Sequence, residues 1–278
     1  MGDRYAASPR YLTPVMLSLI FTGCLSLIIK VQKISVEPIT IFPETPSGAT
    51  LNSSLFIIPI AVAATVIYVL VRLGLHRLVT GIIKATLILA VFVIFLWYGA
   101  LVYPDNVARD ILDPSNLLIA GFSTTALALM MYRGGSALQV IALTLVSSFT
   151  GTFLGASIPL LTAFVLLAGL SAYDVISVFR GPIGKIAEKT ELEKLMGAVV
   201  NYKGLTIGMG DLVFYSMLGS GSMLNLGYGS FLGSAAGVVA GAYGTFKMLE
   251  KREMFPGLPL PLVSGMALAL LAWIGSSL

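Results

Sequence analysis

Asp174 and Asp211 are the two acidic residues that lie deep inside long apolar runs of this sequence. The other eleven of the 13 acidic residues fall in polar stretches between such runs. A carboxylate in the middle of a membrane helix costs about 2.5–3.5 kcal/mol on insertion scales, so it is retained by default for function. No basic residue lies at a comparable depth to pair with either one, which excludes a buried salt bridge. Two carboxyls held close together resist double ionisation, so the pair is expected to share one proton at neutral pH. The ionised member can then take a proton from water while the protonated member donates to a carbonyl oxygen. That is the chemistry of aspartyl peptide hydrolysis, and the ionisation steps belong to the pair as a whole.

The elements that must position these groups are membrane helices. The chain has 278 residues, is 57% hydrophobic and only 11% charged, against about 25% charged in a soluble domain. A hydrocarbon core about 30 Å thick needs about 20 apolar residues per crossing. Nine such runs are present, at 12–29, 55–73, 81–103, 115–132, 138–156, 158–178, 206–223, 228–248 and 259–276. The expectation is a single all-α polytopic membrane domain over 1–278, an integral multi-pass membrane protein of the cell membrane if the source is prokaryotic. Pro159 suits the start of the sixth helix after a tight turn at Ala156–Pro159.

Basic residues set the orientation. With the N-terminus inside, 14 of the 17 basic residues fall in inner segments, and only Lys30, Lys33 and Arg109 in outer ones. This predicts a cytoplasmic N-terminus and, with nine crossings, an external C-terminus. The net charge of +4 is therefore a topology signal and does not argue for nucleic acid. The loop over 179–205 is cytoplasmic and carries mixed charges, and its stretch 183–200 could form a short surface helix.

The two aspartates share a depth. Asp174 lies six residues before Arg180, roughly 9 Å of helix, and Asp211 eight residues after Lys203, about 12 Å. The sixth run heads inward and the seventh outward, so both carboxyls sit slightly inside the cytoplasmic face. Gly208 and Gly210 precede Asp211 and remove side-chain bulk that would keep a substrate backbone away. Gly229, Gly233, Gly237 and Gly241 recur every fourth residue in the eighth run, a pattern that lets helix backbones approach closely.

Tyr173-Asp174 resembles the "YD" motif of presenilins and signal peptide peptidases, and Gly208-Met209-Gly210-Asp211 resembles their "GxGD" motif. Phe214-Tyr215-Ser216 resembles the presenilin continuation "FYS". Pro256-Gly257-Leu258-Pro259 resembles the "PALP" motif, with Gly257 a small-for-small departure from alanine. The three motifs stand in the family's order on its sixth, seventh and ninth spans. The resemblance implies an intramembrane aspartyl endopeptidase with Asp174 and Asp211 as catalytic pair. It also implies that Tyr173, Gly208, Gly210, Pro256, Gly257 and Leu258 support the site. It implies transmembrane helices of other proteins as substrates, the lipid bilayer as surroundings, and neither cofactor nor metal. Only 36 residues separate the two aspartates. That leaves no room for the long presenilin loop and resembles compact microbial, archaeal-type homologues. Such proteins are expected to act without obligate partner subunits, and a homo-oligomer is compatible with the sequence.

Three other readings stay open at this stage. A proton- or cation-coupled transporter could use the two aspartates, though the halves of the chain show no internal repeat. A prepilin-type peptidase lacks the proline motif, and a non-catalytic scaffold would not need two acids at one depth. His76 stands alone and Cys24 reads as packing, so neither suggests a metal site. Asn52-Ser53-Ser54 fits a glycosylation sequon.

Overall fold

The computed structural model describes residues 8–34, 36–102, 111–179, 199–202, 205–251 and 254–277. Nine α-helices appear among them. A 3-10 turn at Pro9–Leu12 leads into α1 (Thr13–Val31), with Pro14 in its first turn. Then follow α2 (Pro46–Arg72), α3 (His76–Val102), α4 (Pro114–Arg133), α5 (Ser136–Ser157) and α6 (Leu160–Phe179). A hairpin of β1 (Val199–Tyr202) and β2 (Leu205–Gly208) precedes α7 (Met209–Leu226), α8 (Tyr228–Leu249) and α9 (Pro259–Ser277). The strands pair antiparallel, Val199 opposite Gly208 and Tyr202 opposite Leu205.

Seven of these helices are long and apolar enough to cross a membrane: α1 with its leading turn, α2 to α6, and α9. Glycine, serine and Asp211 lower the hydropathy of α7 and α8. α7 is shielded instead, because it is the hub of the bundle and packs against α1, α5, α6, α8 and α9, whereas α8 leaves Leu232 exposed. Leu212, Met217 and Leu218 of α7 are almost wholly buried. The outer helices expose large apolar side chains, such as Ile58, Leu118, Phe122 and Leu271, as a surface facing lipid does.

Small residues set the spacing at the hub. A Cβ on Gly155 of α5 would lie 2.6 Å from the Met217 carbonyl oxygen and 2.8 Å from the Gly221 nitrogen of α7. Hydroxyls complete that seam, as membrane helices associate through small residues and short polar contacts. Ser148 Oγ donates to the Ser18 carbonyl at 2.9 Å, and Ser147 Oγ reaches the Met209 carbonyl at 3.3 Å. The glycine stripe of α8 works in the same way against α9 at Gly233, Gly237 and Gly241, whereas Gly229 faces open space.

The end of the bundle remote from Asp174 and Asp211 is tied down by two charged side chains. Lys30 Nζ donates to the Met223 carbonyl at 2.6 Å, closing the end of α7 where a cation suits the helix dipole. Glu44 Oε1 accepts from the Leu161 backbone nitrogen at 2.8 Å and so caps α6. The loop before α2 is shorter than the apolar pattern implies, since the helix starts at Pro46 with Thr45 as N-cap. Asn52 therefore lies inside α2, 1% exposed. Its amide is engaged by the backbone of Ile41 and Phe42, so the sequon is not an acceptor. Cys24 is exposed on α1 rather than packed.

The surface helix read over 183–200 lies outside the described residues, except for Val199 and Val200, which are strand. The seventh helix begins at Met209 rather than 206, because Leu205–Gly208 is drawn into the hairpin.

Candidate active site

Three elements meet at one end of the bundle. Asp174 lies in the last two turns of α6 and Asp211 in the first turn of α7. The short segment Pro256–Leu258 runs between α8 and α9. Asp211 gains its place from the short hairpin, which ends at Gly208, the residue that caps α7 with extended dihedrals. A helix N-terminus favours negative charge, so the first turn is a natural position for a carboxylate.

The proline-bounded segment holds the two acids together. The Leu258 backbone N–H donates to Asp174 Oδ2 at 3.0 Å. Gly257 lies directly against the other acid: a Cβ there would overlap Asp211 Oδ2 and stand 3.1 Å from its Cγ. The change from alanine to glycine is thus a matter of contact with Asp211 in this conformation. The two carboxyls thus border adjacent residues of one segment, Asp174 at Leu258 and Asp211 at Gly257. Both are half-buried, whereas Pro256 and Leu258 are buried.

The remaining residues singled out from the sequence divide. A Cβ on Gly208 would sit 3.3 Å from Asp211 Oδ2, so this glycine leaves the carboxyl its space. Gly210 is exposed, with nothing within 4 Å of a Cβ, and marks the open side of the site. Tyr173 is half-buried and, among the described residues, makes no hydrogen bond to either acid.

Tyr215 is the residue whose task the sequence reading missed. Its hydroxyl donates to the Gly257 carbonyl oxygen at 2.7 Å, binding the segment to α7 as Asp174 binds it to α6. The available signal was its place four residues after Asp211, which puts both on one face of a helix. Tyr215→Phe is expected to lower turnover roughly five- to tenfold with the fold intact, the size of one neutral hydrogen bond. Cleavage rates and thermal unfolding of the reconstituted variant check this; an unchanged rate would mean the segment is held without it.

No family model matches the chain. Solved structures do. A presenilin family intramembrane aspartate protease in the C222 space group superposes with a TM-score of 0.64 at 22% identity, covering 95% of this chain and 98% of that one. The same description in the P2 space group gives 0.60 at 22% identity, with 95% and 96% covered. At that identity the likeness is one of fold. This chain is an integral multi-pass membrane protein with a presenilin-like fold along nearly its whole length.

Proposed function

We propose that this protein is an intramembrane aspartyl endopeptidase that cuts peptide bonds within or near transmembrane helices of other proteins. The observation that carries the reading is the convergence of Asp174 and Asp211, from two different helices, on the single segment Gly257–Leu258. The likeness of fold to intramembrane aspartate proteases supports it. Nothing in the fold favours a transporter.

In this reading the two aspartates share one proton. The ionised carboxylate takes a proton from a water molecule, whose oxygen attacks the scissile carbonyl carbon. The protonated carboxyl donates to the carbonyl oxygen as the tetrahedral intermediate forms. On collapse the C–N bond breaks: the carboxyl that took the proton from water gives it to the leaving nitrogen, and the other carboxylate takes back a hydroxyl proton from the intermediate. The Leu258 N–H fixes the orientation of Asp174 throughout. All nine helices are crossings, with the N-terminus cytoplasmic and the C-terminus external, as the basic residues imply. The chemistry then lies just inside the cytoplasmic face.

A helical substrate must unwind before water can reach its backbone, and unsatisfied backbone groups in lipid cost several kcal/mol each. The hairpin next to Asp211 offers a replacement. β1 covers one edge of β2, and an extended substrate can add to the other edge and so be led past the acids. Substrates with helix-weakening residues should therefore be preferred. The test is competitive cleavage in liposomes of two single-span substrates, one poly-leucine and one with glycines near the cut. The glycine substrate should be cut faster, and a hydroxyl-bearing mimic of the tetrahedral intermediate should block both. Equal rates for the two substrates would mean that unwinding does not limit cleavage.

A further inference from the structure

A pocket of about 90 Å³ adjoins Asp211 between α1, α7 and α8. Asp211, Tyr215 and Gly257 form one wall, and Val15, Thr245 and Phe246 face them. Thr245 is the unusual member. It is 3% exposed, and its Oγ1 has no hydrogen-bond partner among the described residues. Thr22, Thr124, Thr152 and Thr162 share that state, whereas Thr80, Thr144 and Thr150 each donate to the carbonyl four residues earlier; Thr245 is the one of the five that lines a pocket with Asp211. Buried hydroxyls are normally satisfied by protein or by ordered water. On this measure about 10–15 Å³ suffices for one water, so the pocket has room for ordered water, and a buried water needs two to four polar partners. Asp211, Thr245 and the Tyr215 hydroxyl supply them.

We propose that this pocket is a water site, in which ordered water links Thr245 Oγ1 to the Asp211 carboxyl, and that Thr245 is a positioning residue for Asp211. Gly208 and Gly257 press on this carboxyl without a side chain to hold it. The bridging water fixes its orientation, and the same pocket replaces the water consumed in each hydrolysis. The inference rests on Asp174 and Asp211 being the hydrolytic pair.

The test uses Thr245→Val, which keeps the shape and removes the hydroxyl, beside Thr245→Ser, which keeps the hydroxyl. Removing one neutral hydrogen bond is expected to lower kcat about tenfold. KM, the position of the cut and the thermal midpoint should stay as in the parent, and Thr245→Ser should restore kcat. A Thr245→Val enzyme with parental kcat overturns the proposal. So does a shift in KM or cut position at constant kcat, which would make the pocket a seat for a substrate side chain. Equal impairment of the two variants also overturns it. Should Thr245→Val not fold, a map of the unmodified protein that resolves water decides. Density within hydrogen-bonding distance of both Thr245 Oγ1 and Asp211 is expected, and its absence is contrary. Asp211→Ala in the same assay separates the two ideas. Cleavage by Asp211→Ala defeats the dyad itself, whereas an inert Asp211→Ala with a fully active Thr245→Val defeats only the water site.

Discussion

Asp174→Ala and Asp211→Ala should each reduce cleavage of a reconstituted membrane substrate to background. The loss should exceed about 1,000-fold, because residues that act as one catalytic unit fail together rather than additively. The double variant should be no worse than either single one. Folding should survive. Neither acid is paired with a basic side chain among the described residues, and an alanine removes a costly carboxylate from the apolar bundle. Detergent-purified variants should therefore keep their thermal midpoint or gain slightly. In Asp174→Ala the Leu258 N–H is left without its carboxylate acceptor, a modest penalty set against that gain. A variant that unfolds would mean that the acids are structural, and one that still cleaves would assign the chemistry elsewhere.

Gly237→Leu should lower stability and abolish activity, for a different reason. A Cβ at Gly237 would stand 2.6 Å from the Ser264 carbonyl carbon and 2.7 Å from the Gly265 Cα. Those atoms are backbone and cannot rotate aside, so α8 and α9 must separate. Overpacking a well-packed interior costs about 1–3 kcal/mol, and rigid neighbours put this site at the upper end. The separation also breaks the 2.7 Å hydrogen bond from Ser264 to the Gly237 carbonyl. Because α9 starts at Pro259, its displacement carries Gly257 and Leu258 away from the acids. Gly229→Leu is the control: nothing lies within 4 Å of a Cβ there. Thermal unfolding and cleavage of both variants check the prediction. Equal losses at 229 and 237 would show that the loss does not come from contact with α9, since leucine is the better helix former at both positions.

The contrast between those two glycines shows where sequence reading stops. A four-residue stripe announces close packing, but only the path of the neighbouring helix decides which glycines are pressed. Asp174 and Asp211 are legible because charge is anomalous in an apolar run, and their depth follows from helix rise and flanking basic residues. The hairpin is not legible. Val199–Tyr202 and Leu205–Gly208 are four residues each, too short for a two-residue alternation to stand out beside the apolar helix that follows. Consequently the start of α7 moves from 206 to Met209, and Asp211 passes from the body of a helix to its first turn. Asn52 fails for a related reason. A sequon is a local pattern, while the loop at Ile41–Phe42 that engages the side chain comes ten residues earlier. Thr245 carries no sequence signal at all. Its interest comes from a pocket shared with residues of two other helices.

Hydrolysis by the aspartate pair is tested most directly by following oxygen from water into the product. The purified protein is placed in liposomes with a single-span substrate in ¹⁸O-enriched water, and the fragments are weighed by mass spectrometry. Hydrolysis at the dyad predicts a break inside or beside the span, one ¹⁸O in the new carboxyl terminus, and no fragments from Asp174→Ala or Asp211→Ala. An intact substrate with the unmodified protein, or the same labelled fragments from either aspartate variant, would contradict it.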